Sequence, residues 1–130
     1  MEKLTAEQVN ELANHFLAMA EDLEAYREKN FATLLDKQNK QIKDLHQLIL
    51  KFSDDFYTLS AILAFDEVQS SLSLIEELKI KMKITLQTLQ DIQKVINIAG
   101  SVVTLGNAIV KIDPKAIAEA LISLKDAIGI

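Results

Sequence analysis

The first ninety-nine residues of this chain contain neither glycine nor proline. Gly100, Gly106, Pro114 and Gly129 all lie late in the chain. Sheet proteins turn about every 8–12 residues, and their turns draw on these two residues for backbone angles that others resist. A run this long without them disfavours strands before any periodicity is considered. It leaves long helices.

The spacing of apolar residues agrees. Thr5 suits an N-cap, and Gln8 three residues later completes a capping-box pattern. Val9, Leu12, Phe16, Met19, Leu23 and Tyr26 then recur at gaps of three and four, which puts them on one helix face. Glu11, Glu21, Asp22, Glu24 and Glu28 fall on the other side, so the first helix is predicted over 6–29. The register shifts near Asn30, where a short turn is predicted. A second seam follows through Leu35, Gln38, Ile42, Leu45, Ile49, Phe52, Phe56, Leu59 and Leu63, giving a helix over 31–64 with a bend near Ser53.

Beyond Asp66, read as a cap, Val68, Leu72, Ile75, Met82, Leu86, Leu89, Ile96, Val103 and Val110 keep a heptad-like spacing. Leu78, Ile92 and Ala99 widen the stripe, as a helix with two or more neighbours requires. The third helix is predicted over 67–112, continuous or broken near Gly100. Asp113-Pro114 is the sharpest boundary, because Asp caps and Pro fits the first helical position. Ile117, Ala120, Leu121, Leu124 and Ile128 then form one face before Gly129, which predicts a helix over 114–128. The expected fold is all-α, an elongated antiparallel bundle of about four helices with coiled-coil-like packing, in a single domain spanning 1–130.

Composition narrows the chemistry. With 49% hydrophobic and 25% charged residues, the 130-residue chain can bury a core. Aromatic residues are only 5% and tryptophan is absent, so the core is expected to be aliphatic. The lack of cysteine removes disulfides, thiolate nucleophiles and Cys-based zinc sites. The polar N-terminus, Met1-Glu2-Lys3-Leu4-Thr5-Ala6-Glu7, does not read as a secretory signal, which makes the cytoplasm the expected location.

A net charge of −5 argues against nucleic acid as the partner, since phosphates need a basic face. The charge is uneven. Residues 1–78 hold 15 acidic and 7 basic side chains, and residues 79–130 hold 4 acidic and 7 basic. The simplest consequence is that the two parts complement one another inside one bundle.

Few residues point to chemistry. Glu11 and His15 stand four apart on the first helix and can reach a common metal, to which Asp44 and His46 could add ligands from the second. Di-metal bundles use Glu-x-x-His on two helices, whereas Glu-x-x-x-His occurs once here. Solvated or half-buried histidines are therefore expected, with no metal or cofactor assigned. The pairs Asp54-Asp55, Asp66-Glu67 and Glu76-Glu77 point about 100° apart on a helix and do not converge on one substrate atom. Lys79, Lys81, Lys83 and Lys94 have no interleaved aromatics for stacking on bases. No phosphate loop, catalytic triad or metalloprotease motif is present, so no enzyme, catalytic residue or small-molecule substrate is expected.

The segment from Val95 to Val110 is uncharged, between Lys94 and Lys111. It is shorter than the roughly 20 apolar residues of a membrane span. Its polar residues, Asn97, Ser101, Thr104, Asn107 and Lys111, gather on one side, opposite Val95, Ile98, Ala99, Val102, Ile109 and Val110. Gly100, Thr104 and Ala108 form a small-residue track suited to a close helix approach. A buried core helix is the expectation. The leading functional expectation is a non-enzymatic bundle acting through protein–protein contact, as a homo-oligomer or a subunit of a larger assembly, because three seams and a mean hydropathy of +0.13 offer more apolar surface than one chain readily covers. The alternatives are a membrane-active protein whose residues 79–130 dock on or insert into lipid, and a metal- or ligand-binding bundle.

Overall fold

The computed structural model describes residues 5–58 and 66–129, with the backbone alone for Ala6 and residues 66–70. These residues form five α-helices and no strand: α1 (Ala6–Lys29), α2 (Asp36–Thr58), α3 (Asp66–Thr88), α4 (Ile92–Lys111) and α5 (Pro114–Ile128), with a single 3-10 turn at Phe31–Thr33. The fold is all-α, and the bundle has five helices where the periodicity predicted about four.

The helices close a ring in the order α1, α2, α4, α5, α3. Side-chain neighbours fix their directions. Phe16 meets Phe56 and Arg27 meets Asn39, so α1 and α2 run antiparallel. Glu76 lies by His15, and the Lys29 ammonium donates to the Gln87 carbonyl, so α3 runs parallel to α1. Phe52 abuts Gly106 while Leu45 lies near Gly100, which makes α2 and α4 parallel. Lys94 reaches Gly129, so α4 and α5 are antiparallel.

Local chemistry sets the helix ends. The Thr5 hydroxyl accepts from the Gln8 N–H at 3.1 Å, and the Gln8 side chain accepts from the Thr5 N–H at 2.8 Å, completing the capping box. Asp113 accepts from the N–H groups of Lys115 and Ala116 at the start of α5, and Gly129 ends that helix in the left-handed region at φ 92°. Asn30 closes α1 as its C-cap. All four boundaries stand where the sequence put them.

Two helices depart from the expected spans. The second begins at Asp36 rather than residue 31, because the 3-10 turn occupies Phe31–Thr33. Leu35, placed in the seam, is 67% exposed, and Leu59 and Leu63 lie outside the described residues. The long third helix of 67–112 is two helices, and it breaks at residues 89–91 rather than near Gly100. Asp91 causes the restart: its carboxylate accepts from the Lys94 N–H at 3.3 Å, an N-cap. Gly100 and Gly106 sit inside α4 without interrupting it. The break also shifts the register, so that Ile96, Val103 and Val110 are half-buried while Val95, Ile98, Val102, Leu105 and Ile109 are buried.

Val9, Leu12, Phe16, Met19, Leu23 and Tyr26 of α1 are all buried, while Leu35, Leu48, Ile80, Ile84 and Ile122 elsewhere stay exposed. The core is mostly aliphatic, but Phe16, Phe52 and Phe56 gather at the α1–α2 junction. Phe16 meets Phe56 edge-on at 4.9 Å and Phe52 at 6.0 Å, and such pairs add about 0.5–1.5 kcal/mol each beyond burial. Along α4, Asn97, Thr104, Asn107 and Lys111 are exposed opposite the buried face. The Val95–Val110 segment is enclosed by its own chain. Among the described residues no helix is long and apolar enough to cross a membrane.

Candidate functional site

Because α1 packs on α2 along one side and on α3 along the other, its buried stripe is wide. His15, between the core residues Leu12 and Phe16, falls on the side facing α3. It is 5% exposed, where the sequence predicted a solvated or half-buried ring. Around it a cleft of about 470 Å³ is lined by Glu7, Asn10, Glu11, Asn14, Glu76 and Lys79.

The ring aims its Nε2 into this cleft. The Glu11 carboxylate lies 3.5 Å away, beyond the roughly 2.7–3.2 Å of an N–H···O hydrogen bond, and Nε2 is buried with no hydrogen-bond partner. One oxygen each of Glu11 and Glu76 and a ring nitrogen of His15 lie within 4.8 Å of one another. Burial and, secondarily, the Lys79 ammonium lower the pKa of the imidazole, while Glu11 and Glu76 oppose them. The lowered pKa favours the neutral ring, which carries a nitrogen lone pair.

Of the four residues grouped by spacing, Glu11 and His15 come together and Asp44 and His46 do not join them. His46 faces Glu24 instead, its Nδ1 3.7 Å from the carboxylate. Arg27 grips Glu24 with two donors and reaches Asn39 on α2 at 3.1 Å, tying α1 to α2. Asp44 is exposed, 3.7 Å from Lys40. The third member of the cluster, Glu76, comes from α3. No spacing within α1 could have shown it; the only sequence signal was the Glu76-Glu77 pair, expected not to converge on one substrate atom.

The remaining acidic and basic residues serve the bundle. Asp54 is exposed and Asp55 half-buried, and they do not converge; the Asp66-Glu67 side chains lie outside those described. Lys79 and Lys83 face Asp22 across the α1–α3 junction, where burial raises the Asp22 pKa and the two lysines oppose it. Lys81 is exposed. The expected complementarity between acidic and basic parts of the chain is realised at this junction.

A second concavity, of about 730 Å³, runs between α2 and α4, with Leu45 and Ile96 on its walls and Gly100 beneath. A Cβ on Gly100 would meet nothing within 4 Å, so the Gly100 end of the predicted small-residue track is not a close helix approach, while Ala108 at its other end is buried. The hydroxyls of Ser101 and Thr104 donate back to their own helix, to the carbonyls of Asn97 and Gly100. The tight approach is at Gly106, which the spacing had not singled out.

No protein-family model, no curated protein and no solved structure matches the chain.

Proposed function

We propose that the chain is a non-enzymatic helical-bundle protein that acts through protein–protein contact, with self-association as its simplest form. One observation carries this reading. Ile80 and Ile84, one turn apart on α3, are 49% and 58% exposed. Residues four apart share a helix face, so the two make one apolar strip. It borders a cleft shared with Ala18, Asp22 and Lys83. Covering two half-exposed isoleucines yields on the order of 2–3 kcal/mol, since fully burying one such side chain yields about 1.5–3 kcal/mol. That is a contribution to an interface rather than a whole one, and further exposed side chains, Ile122 of α5 among them, would add to it.

The test is sedimentation equilibrium across the micromolar range for the wild type and for Ile80→Glu/Ile84→Glu. The reading expects association in the wild type that the double variant weakens without loss of helicity. A strictly monomeric wild type, or association indifferent to both substitutions, contradicts it.

A further inference from the structure

We propose that Glu11, His15 and Glu76 bind one divalent zinc ion at the α1–α3 junction. Three donors of the right chemistry converge from two helices: an imidazole nitrogen and two carboxylate oxygens. On a tetrahedral ion with bonds of about 2.0–2.1 Å, neighbouring donors stand about 3.3–3.4 Å apart. The 3.5 Å between His15 Nε2 and Glu11 is close to that edge and too long for a hydrogen bond. Glu76 needs only a rotamer adjustment, because all three donor atoms lie within 4.8 Å and its side chain is exposed.

The buried, unpartnered Nε2 is the second and independent sign. A buried polar nitrogen without a partner is costly, because nothing replaces its lost contact with water. A cation held between this nitrogen and the two carboxylates would give the unprotonated ring the partner it lacks. Two carboxylates neutralise a divalent ion, and three protein donors leave a fourth position facing the cleft for water. Depression of the imidazole pKa agrees with this, since a metal needs the unprotonated ring.

Lys79 works against the ion. It lines the same cleft, and its positive charge near the His15 ring opposes a cation there. Its stem is long enough to carry the charge out to solvent when zinc arrives. Removing that charge should therefore tighten binding.

The experiment is titration of the chelator-treated full chain with zinc chloride, followed by calorimetry and by the ¹⁵N chemical shifts of the His15 ring. The expected result is one zinc per chain, a shift at Nε2, and affinity lowered on the order of tenfold or more in Glu11→Gln and in Glu76→Gln. Lys79→Met tightens binding, and Glu77→Gln leaves it unchanged. Glu76 and Glu77 are exposed, so their variants retain the fold, which circular dichroism verifies. Absence of saturable binding at one per chain overturns the site. So does affinity that is unchanged in both Glu11→Gln and Glu76→Gln.

Discussion

Gly106 of α4 lies against the ring of Phe52 of α2 so closely that no side chain fits between them. A Cβ there would stand 2.5 Å from Phe52 Cδ2 and 2.8 Å from Cγ. The ring cannot simply swing away, because it stacks on Phe56 at 6.1 Å and meets Phe16 edge-on.

Gly106→Ala sets two effects against each other. Alanine gains about 1 kcal/mol of helix propensity. Overpacking a filled core costs about 1–3 kcal/mol, and the confined ring puts this case toward the upper end. Net destabilisation of about 1–2 kcal/mol is expected in urea unfolding. Pairing the change with Phe52→Leu should recover a coupling of about 1 kcal/mol in a double-mutant cycle. At Gly100, where a Cβ meets nothing, alanine should stabilise the chain by up to about 1 kcal/mol.

Glu24 links the fold to pH. The hydrogen bond from Arg27 holds its carboxyl below the usual value of 4.5, with burial pulling the other way. A depressed carboxylate pKa contributes stability that is present above about 4.5 and lost as pH falls through the folded value. Asp22, raised by burial, has the opposite sign: its contribution is present below 3.8 and lost as pH rises through its folded pKa. The informative quantity is thus the difference between wild type and Glu24→Gln. It should be about 1 kcal/mol at pH 7 and should shrink toward pH 3, as measured by denaturant unfolding at each pH.

Asp113 caps α5 by accepting two backbone hydrogen bonds at one carboxylate oxygen. Asp113→Ala should cost about 1 kcal/mol. At about 2.1 cal/mol/K per residue for 130 residues, that lowers Tm by about 4 °C in a thermal melt. Asp113→Asn, which keeps the acceptor, should lose much less.

What the sequence disclosed follows from how local each feature is. Thr5 with Gln8, and Asp113 with Pro114, act within one turn of backbone, so their spacing alone identifies them. The break at residues 89–91 was hidden because Leu86, Leu89 and Ile96 keep an unbroken heptad spacing through it. Asp91 in isolation is only one acidic residue among many. The two glycines drew the predicted break to Gly100, yet a helix tolerates glycine where packing supplies the stability. The Glu11–His15 half of the cluster was legible because i, i+4 is a property of one helix. Glu76 was not, since its place beside His15 depends on α3 running parallel to α1. The aromatic knot was missed for the same reason: Phe16 meets Phe52 and Phe56 only after α1 and α2 pair.

Everything here depends on α4 burying its apolar face against α2 and α5 of the same chain. Amide hydrogen exchange along α4, followed over a wide range of protein concentration, tests this most directly. The account predicts that the amides from Ile98 to Ile109 exchange among the slowest in the chain and that their protection does not change on dilution. Rapid exchange there, or protection that falls as the protein is diluted, would contradict it.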